Sequence, residues 1–254
     1  MTAVSLENVS KVFNQGRPDE VTALSEIDLV IDAGQFVSLI GPSGCGKSTL
    51  LRLIADLIPA SSGVVEVAGK PAAKARLDQE YGIAFQQAGL FEWRTVLRNV
   101  ELPLELRGMS RAARKERALE MLELVGLSDF TTHYPAQLSG GMQQRVAIAR
   151  ALAVSPPLLL MDEPFGALDE MTRERLQSEL LAICAKTGTS TVFVTHSISE
   201  AVFLSDRVVV MSPRPGRITS AVDVSLGSRD DGTRQSSPYF DAITAVRKAL
   251  RGTP

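Results

Sequence analysis

The sequence has little cysteine, few aromatic residues and no long apolar run. Only Cys45 and Cys184 occur among 254 residues, which excludes a disulfide framework and favours a reducing, cytoplasmic compartment. No apolar run approaches the ~20 residues that span a bilayer. The residues after Met1 lack a basic start followed by an apolar segment, so we expect no signal peptide. Any role at a membrane would therefore depend on a partner.

An excess of charge of either sign is also missing. The formal net charge is −2, so no overall field draws the chain onto nucleic acid or anionic lipid, and we expect no nucleic-acid partner. Hydrophobic residues make up 44% and charged residues 22% of the chain, as in ordinary globular proteins. The length fits one large domain or two small ones.

One stretch carries a specific chemical signal, because it fits the phosphate-binding pattern G-x-x-x-x-G-K-[ST]. An apolar run at 36–40 precedes the stretch, and a helical pattern at 50–54 follows it. A glycine-rich turn that contains a lysine by chance would not need this strand–loop–helix context. The residues of the stretch are Gly41, Pro42, Ser43, Gly44, Cys45, Gly46, Lys47, Ser48 and Thr49.

The physical basis of such a loop is that its glycines let successive backbone N–H groups point inward and form a concave anion site. The helix that begins there adds its own unpaired N–H groups and the positive end of its dipole. We expect Lys47 to reach the β- and γ-phosphates of a nucleotide and the Ser48 hydroxyl to bind Mg²⁺.

The remaining pattern predicts an α/β protein with a helical insert. Alternating residues at 4–9 and an apolar stretch at 21–31 indicate early strands that form a mixed sheet. Residues 88–135 read as helical, with Pro103 interrupting the first helix and Ser110 capping the second. Residues 226–236 are polar, and we expect them to be mobile before a closing helix.

Three further positions suggest a site for an anion and a cation. Ser139 stands where a helix N-cap belongs, and the glycines after it allow close approach of another group. Asp162 and Glu163 follow an apolar strand, at the sheet edge where α/β proteins bind ligands. His196 ends another apolar strand. Taken alone, these residues also fit solvated turn acids and a structural histidine.

These stretches together resemble the nucleotide-binding subunit of an ATP-binding cassette (ABC) transporter over nearly the whole chain. The most specific match is the stretch 138–145, which is similar to the LSGGQ-type signature with Met142 at the variable place. It precedes the apolar strand that leads into Asp162, Glu163 and Pro164. The stretch 167–169 resembles the D-loop of the family.

The resemblance implies a role for each motif residue. Phe13 would stack on adenine, Gln86 would contact Mg²⁺ or the attacking water, and Asp162 would hold Mg²⁺. Glu163 would act as general base, with His196 on the γ-phosphate; Gln87 is the alternative to Gln86. The residues that would cap ATP across a head-to-tail dimer, or adjoin it, are Ser139, Gly140, Gly141, Gln143 and Asp169.

The fold implied is a P-loop NTPase core with an N-terminal antiparallel β subdomain and an all-helical subdomain. We divide the single domain into a core (1–87 and 154–225), a helical part that carries the signature (88–153) and a tail (226–254). Asp56 departs from the family, which commonly has glycine after the P-loop helix; we expect little functional effect from it.

The resemblance also implies ATP and Mg²⁺ as cofactors, a second ATPase subunit, a membrane permease and, indirectly, a substrate-binding protein, at the cytoplasmic face of the inner membrane. The stretches 90–100 and 211–218 resemble the importer branch for nitrate, sulfonates, taurine and related solutes, which includes pyrimidine uptake systems. A soluble ABC ATPase of DNA repair or translation and an unrelated P-loop kinase are the alternatives. The solute itself is not encoded here.

Overall fold

The structure is a computed structural model that describes residues 1–227, 229–230 and 232–252, and its main framework is a six-stranded sheet. Five strands are parallel, and the edge strand β10 is antiparallel to β9. The inner strands β3, β7 and β8 are buried at every residue, as their continuous apolar runs require in a sheet covered on both faces. In spatial order the strands are β10 (Ile218–Asp223), β9 (Arg207–Met211), β3 (Phe36–Ile40), β8 (Ser190–Val194), β7 (Leu158–Asp162) and β6 (Tyr81–Ala84).

A second, antiparallel sheet precedes and flanks the P-loop. Its longest pair of strands extends beyond the alternating segment at 4–9 that the sequence indicated. Asn8 and Glu26 adopt positive φ angles of 48° and 53°, which break the alternation without ending the strands. The register shifts near these residues, and pairing resumes as far as Phe13 opposite Val21. The strands, in spatial order, are β2 (Val21–Asp32), β1 (Thr2–Phe13), β4 (Ser62–Val67) and β5 (Lys70–Pro71).

Helices cover the six-stranded sheet on both faces, and alternation along β3 separates the two cores. Val37 and Leu39 face α1, α2 and the antiparallel sheet, whereas Phe36 and Ile40 face the helices α3 to α8. The helices are α1 (Lys47–Ile54), α2 (Ala72–Leu77), α3 (Val96–Leu106), α4 (Arg111–Leu124), α5 (Gly140–Leu152), α6 (Glu170–Thr187), α7 (Ile198–Leu204) and α8 (Ser237–Arg251). Short 3₁₀ turns lie at Ser128–Phe130, Pro135–Gln137 and Thr233–Gln235.

The helical insert matches the sequence pattern with one correction. Ser110 caps α4 as predicted, accepting a hydrogen bond from the Ala113 N–H at 3.3 Å. Pro103 does not interrupt α3, which continues to Leu106. Val100 and Leu104, on either side of the proline, are fully buried in the shared core, and that packing keeps the helix together. The helices α3, α4 and α5 thus form one packed unit beside the α/β core.

Two further differences have local causes. α1 ends at Ile54 rather than near Pro59, and Asp56 follows with a φ angle of 50°, the left-handed region that favours glycine. The prediction of a mobile segment at 226–236 falls partly on Ser228 and Asp231, which lie outside the described residues. Within the described part, Arg229 donates to the Ser205 carbonyl oxygen at 2.7 Å.

Candidate functional site

A cleft of about 520 Å³ lies over the carboxyl ends of the central parallel strands. It joins the P-loop to the ends of β6, β7 and β8 and to the tip of the β1–β2 hairpin. Most predicted site residues therefore meet in one place. The lining residues are Phe13, Val21, Ala23, Gly41, Ser43, Gly44, Gly46, Lys47, Ser48, Thr49, Gln86, Glu163, His196 and Arg214.

The P-loop owes its shape to glycine at two positions of positive φ. Gly44 has a φ angle of 75° and Gly46 one of 105°, and α1 begins at the next residue, Lys47. A Cβ atom at Gly46 would lie 2.6 Å from the Cδ2 atom of Leu24. Only glycine fits this backbone and this packing, so the loop wraps tightly around the start of α1.

The Lys47 ammonium is held within the loop. Its Nζ atom donates to the Gly41 carbonyl oxygen at 2.9 Å and to the Pro42 carbonyl oxygen at 3.0 Å. Lys47 is buried, so its charge is kept at the floor of the cleft rather than in bulk water. Cys45 is also buried, below the loop, and neither it nor Pro42 belongs to the lining.

A hydroxyl and a carboxylate meet beside the loop. The Ser48 hydroxyl donates to Asp162 Oδ1 at 2.9 Å, and Asp162 is only 3% exposed. Burial raises the pKa of Asp162, and the hydrogen bond from Ser48 partly opposes that rise. Two oxygen donors at this separation fit the preference of Mg²⁺ for hard oxygen ligands. Within the described ranges no group of three or more His, Cys, Asp or Glu side chains could hold a metal ion, so further ligands would come from substrate or water.

Two side chains converge on the carboxylate of Glu163. Gln86 Nε2 donates to Glu163 Oε2 at 3.3 Å, and His196 Nδ1 lies 3.3 Å from the same oxygen. Glu163 has a φ angle of 47°, and its N–H donates to the Val194 carbonyl oxygen, which turns the chain away from β7. Gln87 is absent from the lining, as far as the described residues extend, which favours Gln86 over its neighbour.

The opposite end of the cleft is formed by the hairpin tip. Phe13 is 37% exposed, and Lys11 Nζ lies 5.0 Å from the centre of its ring. Val21, Ala23 and Arg214, which no sequence motif marked, also line the cleft. Arg214 could have been noticed in the sequence as an arginine between two prolines in the stretch 211–218.

The predicted capping residues lie elsewhere in the chain. Ser139 caps α5, accepting from the Met142 N–H at 3.3 Å, and Gln143 Nε2 donates to the Pro135 carbonyl oxygen at 3.0 Å. Asp169 caps α6, and the hydrogen bonds from Thr172 lower the pKa of its carboxyl group. Among the described residues, none from 139–143 and not Asp169 lines the cleft. Instead, Gly141 lies beside Ala167, two residues before Asp169.

Gly140 and Gly141 differ in their surroundings. A Cβ atom at Gly141 would lie 3.0 Å from the Ala167 carbonyl oxygen, which places the signature beside the stretch 167–169. A Cβ atom at Gly140 would meet nothing within 4 Å, and Gly140 is exposed. The first glycine is therefore not required by packing inside this chain.

Comparison with known proteins gives consistent results. The model of the family described as "ABC transporter" matches residues 24–166. The chain is 49% identical over 230 residues to the ABC transporter ATP-binding protein MJ0412 of Methanocaldococcus jannaschii, covering 91% of this chain and 85% of that protein. It is 47% identical over 252 residues to the taurine import ATP-binding protein TauB of Rhizobium johnstonii, covering 97% and 95%.

A solved structure shows the same fold. It is a dimeric post-hydrolysis state of the ATP-binding cassette MJ0796 bound to ADP and Pi, with a TM-score of 0.81 and 39% identity. The match covers 87% of this chain and 99% of that chain. Together with the family match over more than half of the residues, this shows that the chain belongs to the ABC transporter family and is an ATPase of that family.

Proposed function

We propose that this ATPase powers an importer of a small solute of the sulfonate or nitrate class, with taurine as the first candidate. The observation that carries the proposal is 47–49% identity to proteins named taurine import ATP-binding protein, over at least 85% of this chain. The alternative within the branch is a related compound such as a pyrimidine. In this family the binding protein and the permease normally select the solute, so we expect the same division of labour here.

We propose that the cleft binds ATP between Phe13 and the P-loop. Lys47 would exchange its bonds to the Gly41 and Pro42 carbonyl oxygens for bonds to the β- and γ-phosphates. The P-loop N–H groups would offset the remaining phosphate charge. Adenine would stack on the exposed ring of Phe13.

For hydrolysis, Glu163 would be the general base, and its two neighbours would orient it. Glu163 would accept the proton of the attacking water, and His196 would donate to the γ-phosphate. Gln86 lies within hydrogen-bond distance of the same carboxylate and would hold the water in line. Ser48 and Asp162 would bind Mg²⁺, which supplies charge neutralisation for the phosphate oxygens.

The signature argues for a composite site made by two copies. Ser139 and Gly140 are exposed at the start of α5, and the open space around Gly140 leaves room for a group from outside the chain. Helix N-termini favour anions, so this end would cap ATP held by a partner copy in head-to-tail arrangement. The MJ0796 cassette in the post-hydrolysis state is itself dimeric.

Coupling to a permease would use the surface of the helical insert, which follows Gln86 in the chain. Trp93 is 74% exposed, and with Tyr134 it borders a groove of about 360 Å³ on the helical insert. Exposed aromatic side chains beside a groove are typical of protein interfaces. Among the described residues no helix is both long and apolar enough to cross a membrane. We therefore propose attachment to the inner membrane at its cytoplasmic face through the permease.

The experiment that tests this function is co-purification. Tagged chain is extracted from native membranes in mild detergent, and the bound proteins are identified by mass spectrometry. We expect a stoichiometric multi-span permease with the unchanged chain and much less of it with Trp93→Ala. Phe240→Ala, which removes another exposed aromatic ring from α8, is the matched control and should retain the permease. Recovery without any membrane protein would favour a soluble, non-transport ABC ATPase.

A further inference from the structure

Arg214 lines the cleft and has no role in the account so far. It is exposed, and within the described residues it makes no hydrogen bond and no ion pair. Two neighbouring cations are engaged: Lys11 donates to the Pro59 carbonyl oxygen at 2.7 Å, and Arg217 pairs with Glu26. Arg17, in the loop of the same hairpin, is exposed but does not line the cleft. Arg214 is thus a guanidinium whose donors are available to a bound molecule.

The backbone of this loop is fixed against the P-loop. The Gly216 N–H donates to the Ala23 carbonyl oxygen at 2.9 Å, and the Ser25 N–H donates to the Gly216 carbonyl oxygen at 3.0 Å. A Cβ atom at Gly216 would overlap the Cys45 carbonyl oxygen, so only glycine permits this approach. Arg214 therefore projects from a backbone that is held in place two residues away.

The strand register gives the direction in which Arg214 lies. Gly216 forms a parallel bridge with Leu24 of β2, so a position two residues earlier lies near Thr22. The neighbour of Thr22 is Val21, which pairs with Phe13. Arg214 is consequently at the hairpin end of the cleft, whereas Lys47 holds the other end.

We propose that Arg214 binds the α-phosphate of the nucleotide, the phosphate that is attached directly to adenosine. This proposal rests on the proposed ATP site. A nucleotide with its adenine on Phe13 and its terminal phosphates at Lys47 places the α-phosphate between these two residues. A guanidinium presents several N–H donors in a planar fork and forms charge-assisted hydrogen bonds with phosphate oxygens. Arg214 then contributes the same affinity to every nucleotide that carries an α-phosphate in this cleft.

The test is calorimetric titration of the full chain with ADP and with ATP, the latter without magnesium to prevent turnover. Because Arg214 is exposed, we expect Arg214→Gln to raise both dissociation constants by roughly three- to fivefold. The affinities for ADP and ATP should fall by the same factor. The difference in affinity between the unchanged chain and Arg214→Gln should shrink at high salt. Arg214→Lys should recover most of the lost affinity. Arg217→Gln removes the same charge from the same loop outside the cleft and is the matched control.

Two results would overturn the proposal. One is an unchanged affinity of Arg214→Gln, or a loss no larger than that of Arg217→Gln. The other is a loss confined to ATP, which would place the guanidinium at the terminal phosphate. Lys47→Ala separates this failure from failure of the site: if that variant also binds both nucleotides normally, the cleft itself has been wrongly assigned. Thermal unfolding of each variant checks that the fold is retained.

Discussion

Side chains of the helix α5 hold in place the backbone segment that carries Gln86. Arg150 donates to the Ala88 and Gly89 carbonyl oxygens, both at 2.8 Å. Gln144, which is buried, donates to the Phe85 carbonyl oxygen at 2.9 Å. Three hydrogen bonds thus fix the backbone on both sides of Gln86. We expect Arg150 to position Gln86 toward Glu163 without touching the nucleotide.

The perturbation is Arg150→Ala. It removes two charge-assisted hydrogen bonds, each worth about 1.5–3 kcal/mol when buried. Gly89 is exposed, so its carbonyl oxygen can bond to water instead. We therefore expect the free energy that holds this segment in place to fall by about 1–3 kcal/mol in total. If Gln86 acts in hydrolysis, kcat should fall by roughly 5- to 150-fold, since 1.4 kcal/mol corresponds to about tenfold. The affinity for ATP should change little.

The assay is steady-state ATP hydrolysis, with urea unfolding of each variant beside it. Arg145→Ala is the matched control, because Arg145 also lies on α5 and donates to two carbonyl oxygens, those of Val125 and Gly126. Its loss should lower stability with a smaller effect on kcat. In a Gln86→Ala background, Arg150→Ala should have no further effect on kcat. Equal effects of the two arginine variants, or additive effects with Gln86→Ala, would refute the reasoning.

Two other predictions concern the composite site and the buried acid. Gly140→Asp should leave folding and ATP binding intact, because nothing lies within 4 Å of the added Cβ atom. It should abolish turnover, because the new carboxylate would repel the phosphates of ATP held by the partner copy. Normal turnover would contradict capping by the signature. Asp162→Asn should raise the Tm of the nucleotide-free chain while abolishing Mg²⁺-dependent hydrolysis. Burial raises the pKa of Asp162, so its ionisation opposes folding above that pKa. The gain in Tm should be largest at neutral pH and shrink as the pH falls toward 3.8, the ordinary pKa of an aspartate. An unchanged Tm at pH 7 would argue against a cost of burying the ionised carboxylate.

Much of the fold could be predicted because its signals are local. The strands predicted at 36–40, 158–161 and 190–195 correspond to the fully buried parallel strands, and two of the P-loop glycines, Gly44 and Gly46, have positive φ angles. The fold class and the ATPase assignment are confirmed. The roles of the individual site residues stay predictions, although most of these residues line one cleft.

The features that could not be predicted depend on tertiary contacts. Pro103 reads as a helix breaker, but burial of its neighbours outweighs the lost backbone bond. The hydrogen bonds of Gln144 and Arg150 to residues about 60 positions earlier leave no mark on periodicity or spacing. Asp56 looked like a departure of little consequence, and its left-handed backbone shows why glycine suits that place.

The most direct test of the central claim is the association state of Glu163→Gln. Without the general base, ATP should bind and persist, and two chains should remain joined through two bound nucleotides. Sedimentation at saturating ATP and Mg²⁺ is predicted to show a dimer that reverts to monomer when ATP is replaced by ADP. A monomer under the same conditions, with ATP demonstrably bound, would contradict the composite head-to-tail site.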